Sequence, residues 1–234
     1  MNLIANMLTV LSLIFGFISV ILSLESHFTF ACWAIYLSVL FDGLDGQVAR
    51  KNSVPSEFGK ELDSLVDVVS FGIAPSVLGY IFVYRDFYLW STLALFAYLL
   101  CAILRLAKYN ITTKDGHKFY FSGLPTTVAG GTLASFVLIF RRRGFDGELP
   151  QFVPAVFLGL VLLLSCLMVS KIRYLNLDGL KKLFGAYLKL AVSVLAIIIL
   201  TAGWFRKAGI AGMVIFLIYL LFSPFVVKRL INRV

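Results

Sequence analysis

Charged side chains are scarce in this chain of 234 residues. Only 14% of the residues are charged and 60% are hydrophobic, whereas a soluble domain has about 25% charged residues. The mean hydropathy is +0.95. This composition excludes an ordinary soluble protein. It predicts a membrane protein with many spans and no separate soluble domain.

Cysteine and histidine are also rare. The three cysteines, Cys32, Cys101 and Cys166, are scattered through apolar runs without the spacing of a disulfide framework or a metal site. We therefore expect them to be inert packing residues. With only two histidines in the chain, a histidine-based metal site is not expected either.

The net charge of +9 does not indicate nucleic-acid binding. The basic residues flank the apolar runs and do not form one patch, which a nucleic-acid surface would require. Anionic lipid headgroups and the excess of Lys and Arg in cytoplasmic loops account for most of this charge. We expect a further part of it to hold anionic substrates at the cytoplasmic mouth of a site.

The apolar runs predict an all-α, polytopic transmembrane helix bundle of about eight spans. The first run has no basic flank and no small-residue cleavage site, so it is interpreted as a span and not as a signal peptide. Pro75 is expected to kink the third span. The predicted spans are Leu3–Leu24, Phe28–Val48, Phe58–Tyr84, Leu89–Ala107, Pro125–Phe140, Phe152–Val169, Tyr187–Phe205 and Ile210–Val227.

An even number of spans places both termini on one side of the membrane. Most of the 21 Lys and Arg residues then fall on that side, so both termini are expected in the cytoplasm of a cell-membrane protein. The run Arg141–Arg143 opposes this rule, and the topology depends on the fifth, shortest run crossing the membrane. The segment Ser170–Leu183 is expected at the membrane surface because it is rich in Lys and Arg.

Two helical faces between residues 41 and 67 carry carboxylates and small side chains. Residues three and four apart are neighbours on a helix, so each half of this stretch has one acidic stripe. The turn-forming segment Lys51–Ser56 makes the two helices antiparallel neighbours. Four carboxylates are thereby predicted to converge. The stripes consist of Asp42, Asp45, Gly46 and Ala49, and of Gly59, Asp63 and Asp67.

Such a convergence requires counterions. A charged side chain at membrane depth costs roughly 2.5–3.5 kcal/mol, and unneutralised carboxylates repel one another or take up protons. All-oxygen clusters suit Mg²⁺, which binds through a few carboxylates together with substrate phosphates, and two such ions would neutralise four carboxylates. The small residues leave room for a ligand, and Arg50 offers a fork for phosphate. The stretch therefore predicts phosphate-transfer chemistry on a substrate in the membrane.

The pattern Asp-x-x-Asp-Gly-x-x-Ala-Arg, then eight residues, then Gly-x-x-x-Asp-x-x-x-Asp resembles the motif of the CDP-alcohol phosphotransferases. Further segments resemble the integral-membrane phosphatidylserine synthases of bacteria and archaea within that family, and they extend the likeness to Tyr174. The resemblance implies a family membrane domain over residues 1–174, with the catalytic hairpin at 41–67. Residues 175–234 would add two transmembrane helices to the same domain. The segments are Ser70–Pro75, Arg105–Asn110, Phe119–Pro125 and Met168–Tyr174.

The resemblance also implies an activity. Such enzymes transfer a phosphatidyl or archaetidyl group from CDP-diacylglycerol or CDP-archaeol to the hydroxyl of L-serine. They release CMP and form phosphatidylserine or its archaeal counterpart, usually with two Mg²⁺ or Mn²⁺ ions. A homodimer surrounded by membrane lipids, with its active site facing the cytoplasm, is implied as well.

Roles for single residues follow from the same likeness. Asp42, Asp45, Asp63 and Asp67 would hold the ions, and Asp67 would also be the general base for direct attack by serine. The sequence shows no sign of a covalent intermediate. The nucleotide would be bound by Gly46, Ala49, Arg50 and Gly59, with Asn6 and Thr9 beside it. From the residues alone, Asn6 and Thr9 fit contacts between helices equally well.

Serine needs a cation for its carboxylate. The candidates near the mouth are Arg105, Asn110, Lys118 and Arg173, although contacts with lipid headgroups or a part in setting topology explain each of them equally well. The loop Asn110–Leu124 fits a mobile lid or a passive interfacial loop.

Four alternatives remain at this stage. The acceptor could be glycerol phosphate, inositol phosphate or choline phosphate. A Mg²⁺-dependent membrane prenyltransferase would normally have two separated acidic clusters, and an ion-coupled transporter would show inverted repeats. The acids could also simply pair with basic residues. Against this last alternative, Arg50, Lys51 and Lys60 lie near the mouth, and we expect no cation at the depth of Asp42 and Asp67.

Overall fold

The computed structural model describes residues 3–51, 57–83, 88–112, 120–142, 150, 152–175 and 208–231. A π-helical turn, Val68–Ile73, joins α3 and α4 into one continuous helix. Apart from one short antiparallel ribbon of strands, the described part is helical, as predicted. The helices are α1 Leu3–Leu24, α2 Phe28–Lys51, α3 Glu57–Asp67, α4 Ala74–Val83, α5 Tyr88–Thr112, α6 Thr126–Arg142, α7 Phe152–Val169 and α8 Ala208–Ile231; the strands are β1 Tyr120–Ser122 and β2 Arg173–Leu175.

Six helices in the described part are long and apolar enough to cross a membrane, and α6 is a shorter apolar helix. Six of the eight predicted spans coincide with these long helices. The predicted fifth span corresponds to α6. The predicted seventh span, Tyr187–Phe205, lies outside the described residues, as does most of the turn Lys51–Ser56.

Helix α1 buries its small residues and exposes its large ones. The buried positions recur every three or four residues, so they form one stripe along the helix. Large apolar side chains such as Ile4, Met7 and Phe17 point outward. This distribution is the reverse of a soluble helix and fits a helix that faces lipid, where small residues allow close helix packing. The buried stripe is Ala5, Thr9, Ser12, Gly16, Ser19 and Ser23.

Hydroxyl groups join α1 to its neighbours. The Ser12 and Ser38 hydroxyls are 2.7 Å apart, and Ser38 Oγ also donates to the Ser12 carbonyl at 2.9 Å. Ser70 Oγ, from the π-helical turn, donates to the same carbonyl at 3.2 Å. A Cβ at Gly16 would lie 2.8 Å from Ser70 Cα, so only glycine allows this approach. Three segments therefore meet without bringing a charge into the bundle.

The bundle has an acidic end and an aromatic end. At the aromatic end, Phe82, Phe136 and Phe157 pack with ring centroids 5.4–6.4 Å apart, and Phe28 at the start of α2 contacts Phe82. Asp42 is fourteen residues further along α2, a distance of about 21 Å at a rise of 1.5 Å per residue. We name the opposite end acidic after this residue.

Helix α6 runs through the centre of the bundle. Ten consecutive residues, from Ala129 to Leu138, are buried, so this helix has little surface for lipid. The two buried hydroxyl groups within this stretch, on Thr132 and Ser135, donate to carbonyls of the same helix. It runs from Thr126 at the acidic end to Phe136 at the aromatic end. This central position explains why its apolar run is shorter and contains small residues.

A kink was predicted at Pro75, and the structure has a π-helical turn just before this residue. Proline has no N–H, so it cannot donate to the carbonyl of Phe71, four residues earlier. Tyr98 Oη on α5 donates to that carbonyl at 2.9 Å. The backbone acceptor is thus satisfied by a neighbouring helix, as is usual in membrane bundles.

Helix α8 packs into the same bundle. Gly212 lies against the hydroxyl groups of Tyr36 and Ser135, which are themselves 2.8 Å apart. Gly131 on α6 lies directly under the ring of Phe216. Although α8 follows a long segment outside the described residues, it is therefore an integral part of the core.

Replacing Tyr98 with phenylalanine should destabilise the bundle. The Phe71 carbonyl would lose its donor from α5, which costs about 1 kcal/mol for a hydrogen bond inside a membrane protein. A loss of this size lowers the unfolding midpoint of a chain of this length by about 2–4 °C. Thermal unfolding in detergent measures it. Tyr88→Phe, at a side chain that is 61% exposed, is the matched control. Equal midpoints for the two variants would contradict the assignment.

Substituting Gly131 by alanine should displace α8. The new methyl group would collide with the Phe216 ring, and overpacking of this kind costs about 1–3 kcal/mol. The double variant Gly131→Ala/Phe216→Leu should recover much of that loss because leucine is shorter than the ring. The unfolding midpoints of the single and double variants test this coupling. Additive losses would mean that the two residues do not contact each other.

Candidate active site

Three carboxylates meet at the acidic end. Asp42 on α2 and Asp63 and Asp67 on α3 each place one oxygen within 4.8 Å of the others, and we call these three residues the acidic cluster. Asp63 and Asp67 are four residues apart on one face of α3. The two acidic faces predicted from the sequence thus bring these carboxylates together, and the three side chains are half-buried.

The fourth predicted carboxylate, Asp45, lies beside the acidic cluster. It is only 4% exposed, and its Oδ2 accepts a hydrogen bond from Thr9 Oγ1 on α1 at 2.7 Å. Its charge acts on both Asp42 and Asp67. Thr9 therefore makes the contact between helices that was one of its two predicted roles, and it orients an acidic side chain in doing so.

The expectation that no cation reaches the depth of the cluster is wrong. Arg105, near the end of α5, is only 7% exposed, and its charge acts on Asp67 and Asp42. Its Nη1 donates to Thr126 Oγ1 at 3.0 Å, and Thr126 Oγ1 lies 3.4 Å from Asp67 Oδ2. The sequence placed Arg105 near the mouth because an arginine close to the end of a span usually lies there.

One buried guanidinium cannot balance four carboxylates. Among the described residues, the acidic end thus combines four carboxylates with one buried cation, in an interior where isolated charges are costly. The alternative in which these acids simply pair with basic residues does not account for four carboxylates beside one buried cation.

The carboxylates fit a hard divalent cation. Oδ1 of Asp67 is buried and accepts no hydrogen bond from the described residues, and buried polar atoms normally have a partner. Asp42 and Asp63 place oxygens within 4.8 Å of Asp67, and carboxylate oxygens are the ligands that Mg²⁺ and Mn²⁺ prefer. The cluster can thus bind a metal ion.

The predicted nucleotide residues are only partly described. Gly46 and Gly59 are half-buried on the helices that carry the acidic cluster, and Asn6 is half-buried three residues before Thr9. For Ala49 and Arg50 the structure describes the helical backbone but not the side chains.

Of the other predicted serine-binding residues, Asn110 contacts α3. Its Nδ2 donates to Ser64 Oγ at 2.9 Å and to Glu61 Oε2 at 3.4 Å, and Lys60 Nζ donates to its carbonyl at 3.4 Å. These contacts fasten the end of α5 to α3. Arg173 is exposed on β2. Lys118 lies outside the described residues, together with residues 113–119 of the predicted lid.

The sequence did not predict the ribbon of β1 and β2. Phe121 pairs with Tyr174, and Ser122 pairs with Arg173. Next to the ribbon, Gly123 has φ = +85°, and a Cβ there would collide with the Met168 carbonyl oxygen. Gly123 therefore has to be glycine, for both backbone and space.

The sequence also did not single out Thr126 and Tyr219. The Tyr219 ring on α8 stacks on Tyr174 with centroids 6.1 Å apart, and Tyr219 lies near Arg105. Thr126 directly follows Pro125, so the only sequence signal was its position next to a segment with family likeness. Helix α8 thus reaches the surroundings of the site.

Comparison with known proteins gives the same family as the motif. Residues 2–168 match the model of the CDP-alcohol phosphatidyltransferase family. A protein of Helicobacter pylori named CDP-diacylglycerol–serine O-phosphatidyltransferase is 36% identical over 177 residues, which cover 75% of this chain and 73% of that protein.

Two further relatives come from other branches. An archaetidylserine synthase of Methanothermobacter thermautotrophicus is 40% identical over 74% of this chain and 70% of its own length. A CDP-diacylglycerol–serine O-phosphatidyltransferase of Bacillus subtilis is 33% identical over 74% of this chain and 90% of its own length. With the acidic hairpin in place and most of its length matched, the chain belongs to the CDP-alcohol phosphatidyltransferase family.

Proposed function

We propose that this chain transfers the phosphatidyl or archaetidyl group of a CDP-linked lipid to the hydroxyl of L-serine, which releases CMP. The observation that carries this proposal is the acidic cluster, gathered at one end of a bundle of apolar helices within the family's matched region. The choice of serine is supported by the names of relatives that are 33–40% identical over about three quarters of the chain.

Asp42, Asp63 and Asp67, together with Asp45, would hold two Mg²⁺ or Mn²⁺ ions. Bound there, such ions would neutralise charge on the diphosphate and on the departing CMP. Oδ1 of Asp67, which has no hydrogen-bond partner in the described part of the chain, and the short distances within the cluster support this assignment. Thr9 would keep Asp45 turned towards the cluster through its 2.7 Å hydrogen bond.

Asp67 would accept the proton of the serine hydroxyl. The serine oxygen forms a bond to the phosphorus that bears the lipid, and the bond from that phosphorus to the CMP oxygen breaks. The electron pair leaves with CMP, and the proton passes to Asp67 and then to solvent. This single displacement needs no nucleophile from the protein.

The remaining ligand contacts are proposals of the same kind. Gly46, Ala49 and Gly59 would admit the cytidine, with Arg50 near its phosphates and Asn6 and Thr9 at its side. For the serine carboxylate, the burial of Arg105 beside Asp67 favours this residue over the exposed Arg173, and Lys118 stays a candidate from the sequence. The contacts of Asn110 with α3 favour a structural part for Asn110.

We also propose an eight-span topology with both termini in the cytoplasm of the cell membrane, and a homodimer. Helix α7 ends beside β2, near the acidic end, whereas α8 begins against Leu138 and Ile139, towards the aromatic end. This arrangement supports a crossing by the predicted span Tyr187–Phe205. The contacts of α8 with α6 support one membrane domain for residues 1–174 and 175–234.

The decisive test of the proposed activity uses the purified protein with CDP-diacylglycerol, radiolabelled L-serine and Mg²⁺ or Mn²⁺. We expect CMP and labelled lipid in equal amounts, and no product after chelation of the metal. Parallel reactions replace serine with glycerol phosphate, inositol phosphate or choline phosphate, and others replace the lipid with CDP-archaeol. Turnover with one of these phosphates and none with serine would assign a different acceptor within the family.

Substitutions in the acidic cluster should separate chemistry from folding. Asp67→Asn should lower turnover by about 10²–10⁴-fold, because an amide cannot accept the proton, and Asp42→Ala should abolish it. Neither should lower the unfolding midpoint, since each removes one charge from a crowded acidic site. Glu57→Gln, an exposed carboxylate on the same helix, should leave turnover unchanged. Retained activity in either cluster variant would remove that residue from the mechanism.

A further inference from the structure

We infer that Thr126 is a positioning residue for Asp67 and that Arg105 fixes the direction of its hydroxyl. This inference rests on the proposed part of Asp67 in the transfer reaction. The carrying observation is a chain of three side chains from three helices, in which Thr126 Oγ1 lies 3.0 Å from Arg105 Nη1 and 3.4 Å from Asp67 Oδ2.

The direction of the hydroxyl follows from its two neighbours. A guanidinium only donates hydrogen bonds, and a hydroxyl has a single hydrogen. Thr126 Oγ1 therefore accepts from Arg105, and its own hydrogen remains for Asp67 Oδ2. The separation of 3.4 Å is long for this kind of bond, although such contacts in catalytic sites often tighten when ligands bind. The contact orients the carboxylate more than it stabilises the fold.

The backbone around Thr126 is held firmly. Thr126 is 1% exposed and is the first residue of α6. Just before it, the Leu124 N–H donates to the Leu167 carbonyl at 3.0 Å and the Gly123 N–H donates to the Ile172 carbonyl at 2.8 Å. The start of α6 is thereby tied to the end of α7 and to the approach to β2, so the hydroxyl has a fixed origin.

The two oxygens of Asp67 consequently have different surroundings. Oδ2 faces the Thr126 hydroxyl, whereas Oδ1 is buried with no partner among the described residues. Held by Thr126, the carboxylate keeps Oδ1 in one place for a cation or for a proton. Without the hydroxyl, Asp67 gains rotational freedom, and the guanidinium of Arg105 loses an acceptor.

The experiment compares Thr126→Val, which keeps the shape but removes the hydroxyl, with Thr126→Ser, which keeps the hydroxyl. Thr127→Val, the same change at the next, half-buried position, is the matched control. The readouts are kcat and KM for both substrates, and binding of Mn²⁺ alone, followed by electron paramagnetic resonance of the free ion in detergent.

We expect Thr126→Val to lower kcat by about 10–100-fold and to weaken Mn²⁺ binding by about 10-fold or more, as loss of a residue that orients a metal ligand does. The KM for the CDP-linked lipid should change little. Thr126→Ser should recover both kcat and Mn²⁺ binding, and Thr127→Val should match the parent protein in both.

Two outcomes would overturn the inference. If Thr126→Val retained full turnover and full Mn²⁺ affinity, the hydroxyl would not position Asp67. If Thr126→Ser lost as much as Thr126→Val, the methyl group and its packing would be responsible. Failure of the proposed function shows separately, as absence of serine transfer in the parent protein. The Mn²⁺ measurement does not depend on the acceptor and still decides the part of Thr126.

Discussion

Repulsion between carboxylates is the constraint on which this structure depends. The acidic cluster and Asp45 lie at one end of a bundle whose other buried side chains, among the described residues, are apolar or carry hydroxyl groups, apart from Arg105. An unbalanced charge is costly in this interior. Four other elements of the fold place side chains near this end. Helix α1 brings the Thr9 hydroxyl, α6 brings that of Thr126, α5 brings the buried cation Arg105, and α8 brings Tyr219 close to that cation.

Hydroxyl groups and glycines form the rest of the helix contacts around this end. Ser12, Ser38 and Ser70 join three segments through hydroxyl–carbonyl bonds, and Gly16 lets the π-helical turn approach α1. In lipid there is no hydrophobic force that drives one apolar helix against another, so close packing and hydrogen bonds have to hold helices together. These contacts add polarity but no net charge, which leaves the electrostatics of the site to the acidic cluster and Arg105.

The hairpin could be predicted because its signal is local. Carboxylates spaced by three and four residues on two adjacent helices must share faces, whatever the rest of the chain does. The long apolar runs were equally informative, since a span has to be apolar along its length. Arg105 could not be placed in this way, because an arginine near the end of a span has the same sequence signature at the membrane surface as in the interior. Its depth is set by the packing of α5 against α7, α4 and the π-helical turn.

Thr126 and Tyr219 were beyond sequence reasoning for a related reason. Thr126 lies near Asp67 and Tyr219 lies near Arg105, and each pair is far apart in the sequence. A single hydroxyl group in an apolar helix also has no periodic pattern. The ribbon of β1 and β2 is of the same kind, because three-residue strands are too short to show alternation. The ribbon and Thr126 are nevertheless connected through physical contacts. The ribbon and Gly123 fix the start of α6, and the start of α6 fixes the hydroxyl that faces Asp67. The geometry of Asp67, which the sequence predicted, therefore depends on Thr126 and the ribbon, which the sequence did not predict.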